Sequence, residues 1–248
     1  MTTALAPVTG SVHSWDVSTG VDGPGTRFVT FLSGCPLRCL YCQNPDTWLR
    51  DNGIRLGSDD ILAEAAKYVP FIAASGGGAT LSGGEPLQQP QFATALLRGF
   101  RDLGLHTALD TSGYLGGLAG DDLLDATDLV LLDIKAGQAQ TYRRLTSRSL
   151  EPTLRFAERL AALGKPVWLR YVLVPGITDA PAEIGTVARF AAGLGNVERV
   201  DVLPLHTLGQ AKWEALGRRF VLAETPGPTP EQVEDARAEF RACGLAAY

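Results

Sequence analysis

The sequence predicts an α/β fold built on a parallel sheet, and three observations carry that reading. Six short apolar runs, rich in β-branched and aromatic residues, alternate with stretches of helical periodicity, which is the rhythm of βαβ units. Each apolar run ends in, or carries, polar residues that a core would not take. No linker and no repeat of fixed period divides the 248 residues, so one domain over 1–248 is expected.

Residues 1–14 are small and polar and are expected to form a flexible lead-in. Residues 21–25 read as a turn, with two glycines around Pro24. Residues 26–32 are the first strand, and a cysteine-rich loop follows it directly. Ser58-Asp59-Asp60 opens a helix whose apolar stripe is Ile61, Leu62, Ala65, Ala66 and Val69. Further strands are expected at 79–81, 106–109, 129–132, 167–174 and 199–203. Helical segments are expected at about 89–102, 120–126, 139–145, 152–163, 181–192 and 231–242. The Pro-rich break at 225–230 introduces a C-terminal extension, 225–248, which packs on the sheet and ends in a short strand.

The strands end in Ser33-Gly34-Cys35, Gly83-Gly84-Glu85, Asp110-Thr111, Asp133 with Ile134 and Lys135, and His206, and Arg170 lies within the fifth. In a parallel (β/α) barrel the carboxyl ends of all strands meet on one face, so separate endings become one site. A doubly wound open sheet would gather its loops in a similar way.

Composition narrows the function. The formal net charge is -5 and the pI is near 5.2, which does not suggest a nucleic-acid-binding surface. No 18-residue apolar run is present, so no membrane span is expected. The first twelve residues lack a basic region followed by an apolar core, so no secretory signal is expected. Four cysteines, three packed together, do not read as a disulfide framework, which points to the reducing cytoplasm.

Those three are Cys35, Cys39 and Cys42, spaced i, i+4 and i+7 in Gly34-Cys35-Pro36-Leu37-Arg38-Cys39-Leu40-Tyr41-Cys42-Gln43-Asn44. A strand would send alternate side chains to opposite faces. Gly34 and Pro36 let the chain curl, so that the three sulfurs converge on one point. Converging thiolates suit zinc or an iron–sulfur cluster. A structural zinc site is closed by four ligands, and Cys243 and the scattered His13, His106 and His206 do not supply a fourth. A cubane cluster tolerates one iron without a protein ligand, and that iron can take a substrate. Cys243 reads as a lone thiol in the last helix.

Gly83 and Gly84 leave backbone groups free to approach a ligand; a tight βα turn is the plainer alternative. Asp110 and Asp133 would repel in one cleft unless Lys135 or a bound cation stood between them; helix capping is the other use of such aspartates. Arg170, inside the apolar run Val167-Trp168-Leu169-Arg170-Tyr171-Val172, needs a partner if buried. His206 is either a satisfied core histidine or a site residue, and Asp22 either a turn or a site aspartate.

The chain resembles the pyruvate formate-lyase activating enzymes of the radical S-adenosylmethionine (AdoMet) superfamily. The stretches that carry the resemblance are Val21-Asp22-Gly23-Pro24-Gly25-Thr26-Arg27, the cysteine loop through Trp48, Ala74–Gly78, Ser82–Glu85, Leu109–Thr111, Leu132–Lys135 and Val167–Val172. Val174-Pro175-Gly176, Leu203–Gly209 and Lys212-Trp213 extend it. The resemblance implies a partial (β/α)6 barrel, TIM-like, with a [4Fe-4S] cluster on Cys35, Cys39 and Cys42. It implies reductive cleavage of AdoMet to a 5′-deoxyadenosyl radical, which takes hydrogen from a backbone glycine of pyruvate formate-lyase, a glycyl radical enzyme. On the same ground Tyr41, Gln43, Gly83, Gly84, Glu85, Asp110, Thr111, Asp133, Ile134, Lys135 and His206 are expected to bind the cofactors, and a monovalent cation joins Asp110, Thr111 and Asp133. Asp22 and Arg170 are expected at the partner's glycine loop, beside Lys135 and His206 as the reacting set. A flavodoxin or ferredoxin-type donor, a monomer, and no nucleic acid or membrane complete the expectation. Some members have His where this chain has Gln43, and several other activators carry a ferredoxin-like insert that is absent here. The nearest alternatives are an activator of a diol dehydratase or ribonucleotide reductase, a radical enzyme acting on a small molecule or RNA, and a non-catalytic metal scaffold.

Overall fold

The computed structural model describes residues 8–248. Eight strands form one sheet in the order β3-β1-β2-β4-β5-β6-β7-β8. The expected parallel strands are β2 (Thr26–Leu32), β4 (Gly78–Gly83), β5 (His106–Thr111), β6 (Leu129–Asp133), β7 (Val167–Leu173) and β8 (Val197–Pro204). Each pairs in parallel with the next across that order. β1 (Thr9–Thr19) and β3 (Ile54–Gly57) are additional and antiparallel. The expected lead-in over 1–14 is corrected by β1, which begins at Thr9; its first seven residues lie outside the described part. β1 escapes a pattern search because it is polar, and its burial is set by β2 and β3 on either side.

Helices α1 (Ser58–Ala66), α2 (Val69–Ala74), α3 (Pro90–Asp102), α4 (Asp121–Asp125), α5 (Ala139–Thr146), α6 (Glu151–Ala162), α7 (Pro181–Leu194), α8 (Gln210–Ala215) and α9 (Pro230–Ala242) connect and cover the strands. On β7, Val167, Leu169, Tyr171 and Leu173 are buried in one core with Ile184 and Val187 of α7 and Phe240 of α9. The alternate residues Trp168, Arg170 and Val172 therefore face the opposite side. Phe28, Leu32, Leu81, Leu109, Val130 and Leu132 join the same helix-covered core, which also takes in Phe100 and Leu160 of α3 and α6. All the helices but α8 thus share one face of the sheet, as in a barrel, where a doubly wound sheet would carry them on both. The other face holds a small cluster of Ala108, Leu129, Leu131 and Trp168, together with polar side chains. The sheet order begins at β3 and ends at β8, so the barrel is partial.

The C-terminal residues add a short parallel ladder to β8: Val200 N–H donates to Ala246 and Tyr248 N–H to Val200. α9 packs on α7 and β8 through Val233, Ala236 and Phe240. Among the described residues no helix is long and apolar enough to cross a membrane.

One buried charge fixes the lower part of the barrel. Arg27 is fully buried and donates to Thr80 Oγ1 at 2.9 Å, to the carbonyls of Ala79 and His106, and lies 3.0 Å from His106 Nδ1. Burial pulls its pKa down to about 10. Thr80 Oγ1 in turn donates to the Asp22 carbonyl at 2.7 Å, so the turn that precedes β2 is held against β4.

Candidate active site

The cysteine loop leaves β2 and is fixed by main-chain bonds before any metal is considered. Gly34, at φ 103°, takes a conformation that suits glycine. Its N–H donates to Thr47 O at 2.6 Å, and Cys35 N–H to Trp48 O at 3.1 Å. Arg38 and Leu40 N–H groups donate to Thr146 and Leu145, so the far side of the loop lies on the end of α5. Gly84 packs so close that a Cβ there would sit 2.3 Å from the Gly34 carbonyl. β2 and β4 are thereby brought to the same edge of one cavity.

That cavity measures ≈ 980 Å³ with its open mouth included. Cys35, Cys39 and Cys42 lie in its wall, with Tyr41 and Gln43 of the same loop. Gly83 and Gly84 come from the end of β4, Asp110 and Thr111 from β5, and Asp133 and Lys135 from β6. Arg170 from β7 and His206 after β8 complete the sequence-predicted set within it. Three expected residues lie outside this wall. Ile134 is buried in the helix-covered core. Asp22 accepts from Ser18 Oγ and belongs to the turn below. Glu85 is buried: its carboxylate accepts from Thr111 Oγ1 at 2.7 Å, Ser112 N at 3.0 Å, Ser112 Oγ, and Leu87 N at 3.2 Å. Glu85 thus ties the ends of β4 and β5 together from behind.

Inside the cavity the two carboxylates each have a protein cation. Arg170 Nη1 lies 3.0 Å from Asp110 Oδ2, which also accepts from Ser82 Oγ at 2.6 Å. Lys135 Nζ lies 3.1 Å from Asp133 Oδ2 and 5.6 Å from the centre of the Tyr41 ring. Burial pushes the Asp110 carboxyl up, and Arg170 offsets part of that rise. Asp110 is the main reason the Arg170 guanidinium is held above its ordinary value. For Lys135, burial lowers the pKa, but Asp133, Tyr41 and Cys39 outweigh it and the ammonium form is strongly favoured.

Cys39 is buried and Cys35 and Cys42 are half-buried, and desolvation raises the pKa of each thiol, that of Cys39 to about 12 with Lys135 opposing. Only a metal would draw all three into the thiolate form at neutral pH. Among the described residues no group of three or more His, Cys, Asp or Glu side chains is placed to hold a single metal ion. A donor set of three cysteines around a shared cavity still fits a polynuclear cluster, in which each thiolate takes its own iron.

Sequence reasoning missed the bonds that hold the loop from outside. Gln43 Nε2 donates to Tyr41 O at 2.9 Å and His206 O at 3.0 Å, and Gln43 Oε1 accepts from Gly209 N at 2.7 Å. Lys212 Nζ donates to Asn44 Oδ1 at 2.7 Å, and Trp213 Nε1 to Cys42 O at 2.8 Å. Cys42 and Asn44 are therefore tied to α8, and Gln43 to the segment between β8 and α8. The Lys212-Trp213 pair was visible in sequence, but its partners are about 170 residues away and no local pattern encodes them.

Comparison with known proteins agrees with this geometry. Residues 29–188 match the model of the Radical SAM superfamily. The pyruvate formate-lyase 1-activating enzyme of Escherichia coli (strain K12) is 41% identical over 229 residues, covering 92% of this chain and 93% of that one. The pyruvate formate-lyase-activating enzyme of Listeria monocytogenes is 41% identical over 237 residues, covering 92% and 95%. A crystal structure of a domain of pyruvate-formate lyase-activating enzyme from Bacteroides vulgatus superposes with a TM-score of 0.59 at 25% identity, covering 69% of this chain and 98% of that one. With near-complete coverage on both sides, the chain belongs to the pyruvate formate-lyase-activating enzymes of the radical SAM superfamily.

Proposed function

We propose that this protein cleaves AdoMet reductively and uses the product to abstract hydrogen from a backbone glycine of pyruvate formate-lyase, thereby activating it. The observation that carries the reading is the shared cavity: the three cysteines of one loop open onto the same space as Gly83-Gly84 and the paired charges of β5, β6 and β7. Cys35, Cys39 and Cys42 would hold a [4Fe-4S] cluster, which, when bound, supplies the single electron for the cleavage.

The other residues bind and orient. Gly83 and Gly84 offer backbone groups to the methionine end of AdoMet. Lys135, held by Asp133, presents a positive charge to its carboxylate, and His206 and the backbone near Tyr41 and Gln43 border the nucleoside end. A monovalent cation against the oxygens of Asp110, Thr111 and Asp133 belongs to the same reading. The same reading assigns Arg170 and Asp22 to the partner's glycine loop, Arg170 from the cavity wall and Asp22 from the turn below it. The reading includes a flavodoxin or ferredoxin-type electron donor, a monomer, and a cytoplasmic location.

The test is incubation of the anaerobically reconstituted protein with AdoMet, a reductant and pyruvate formate-lyase, read by electron paramagnetic resonance. A glycyl radical doublet on pyruvate formate-lyase is expected. AdoMet cleavage without that signal, and with the signal on a diol dehydratase or ribonucleotide reductase instead, would move the substrate assignment.

A further inference from the structure

The charge of the chain is distributed unevenly around the cysteine loop. Residues 34–44, 136–150 and 210–222 contain seven of the 22 Lys and Arg but one of the 27 acidic residues, Glu214. The fold brings these three segments together: Leu37, Leu145, Trp213 and Phe220 share one core cluster, and the loop hydrogen-bonds to the end of α5. An acidic protein thus wraps its cysteine loop in a basic collar. Arg143, Arg144 and Arg219 are exposed and make no ion pair among the described residues. Leu208, Leu216 and Val221, 84%, 39% and 52% exposed, add apolar points in and just before residues 210–222.

Beneath the collar lies an aromatic path to the loop. The guanidiniums of Arg38 and Arg218 stand 4.9 and 5.5 Å from the Trp48 ring centre. Trp48 meets Trp213 edge to face at 4.9 Å, and the Trp213 indole N–H donates to Cys42 O. We infer that this collar is the docking surface for an acidic one-electron carrier protein, which delivers its electron through the Trp48–Trp213 pair toward Cys42. The carrier is oxidised by one electron and the cluster reduced by one; no atom is transferred. The inference rests on the proposed function, which needs one electron per AdoMet cleaved. The carrier is favoured over the protein substrate because the exposed cations of the collar, Arg143, Arg144 and Arg219, lie outside the cavity wall. The paired charges that would meet a glycine face into the barrel. Charge complementarity of this kind governs encounter rate more than final affinity.

The test compares the cluster-loaded protein with its Arg143→Glu/Arg144→Glu/Arg219→Glu variant, and with Arg55→Glu/Lys67→Glu as a remote charge control. Flavodoxin is the probe, read by its binding affinity and by AdoMet cleavage driven either by reduced flavodoxin or by dithionite. In the triple variant at low ionic strength, flavodoxin binding and flavodoxin-driven cleavage should fall about tenfold or more, while dithionite-driven cleavage is unchanged. In the unaltered protein, flavodoxin affinity should fall steeply with added salt, a readout that needs no variant to fold. Salt-insensitive binding overturns the inference, as does an equal loss in the remote control. So does a triple variant that takes electrons normally yet no longer binds pyruvate formate-lyase, which would assign the collar to the protein substrate. Absence of dithionite-driven cleavage in the unaltered protein would instead count against the proposed function.

Discussion

The Gln43 side chain and the Gly209 backbone meet at 2.7 Å, and this contact joins the cysteine loop to the loop that carries His206. The approach leaves no room for a side chain on Gly209, because a Cβ there would lie 2.7 Å from Gln43 Cα. Every polar atom of the Gln43 amide is used, with its nitrogen donating to both Tyr41 and His206.

Removing this bracket should loosen the binding site without emptying the metal site. Gln43→Ala is expected to keep its iron content and to bind AdoMet roughly tenfold more weakly, the loss expected for about 1.4 kcal/mol of positioning. Gln43→Glu retains the acceptor for Gly209 but faces two carbonyls with an anion, so it should not restore affinity. Titration calorimetry on the reconstituted proteins decides this; equal affinity in all three would remove Gln43 from the site.

The cysteine assignment is open to a simple substitution. Cys39→Ala should give a folded protein with little bound cluster and no AdoMet cleavage. Iron analysis and visible absorption after anaerobic purification check the first part, chromatography of the nucleoside product the second. A Cys39→Ala protein that still cleaves AdoMet would refute the ligand set.

Lys135 should separate cofactor binding from metal binding. Its side chain is 11% exposed and that of Asp133 18%, so Lys135→Ala leaves a nearly buried carboxylate without its cation. Such losses cost about 3 kcal/mol or more. Reduced thermal stability and weakened AdoMet binding are expected together, with iron content normal.

Alkaline pH should weaken the fold through buried phenols. Tyr171 donates to Thr178 O at 2.6 Å, packs against Phe240 at 5.7 Å, and has its pKa raised above 10.0 chiefly by burial. The folded state therefore keeps a proton that the unfolded chain releases, and stability falls as pH rises beyond 10.0. Tyr171→Phe should cost about 1 kcal/mol at neutral pH, and its deficit should shrink between pH 9 and 11. Urea denaturation across that range measures both, and parallel pH profiles would show that Tyr171 does not contribute.

The parallel strands were legible because each is an apolar run of ordinary length with a breaker after it; the expected 26–32 matches β2 from end to end. β1 and β3 were not: β3 is a four-residue edge strand, and β1, although paired on both sides, is too polar to stand out from a loop. The site was legible where strand order alone gathers residues, as with Asp110, Asp133 and Arg170. Sequence could not separate Glu85, which turns inward to Thr111 and Ser112, from Gly84 beside it, which borders the cavity. Nor could it find Ser82 on Asp110 or Trp213 on Cys42, because those bonds depend on which strands become neighbours.

Because β3 and β8 stand at opposite ends of the strand order, the cylinder is left with an unstitched seam. A fully sewn tube would admit only what could be lowered through its rim. An unsewn one lets a bulky visitor present a single bend of its main chain sideways, while the rest of that visitor stays outside and keeps its own shape.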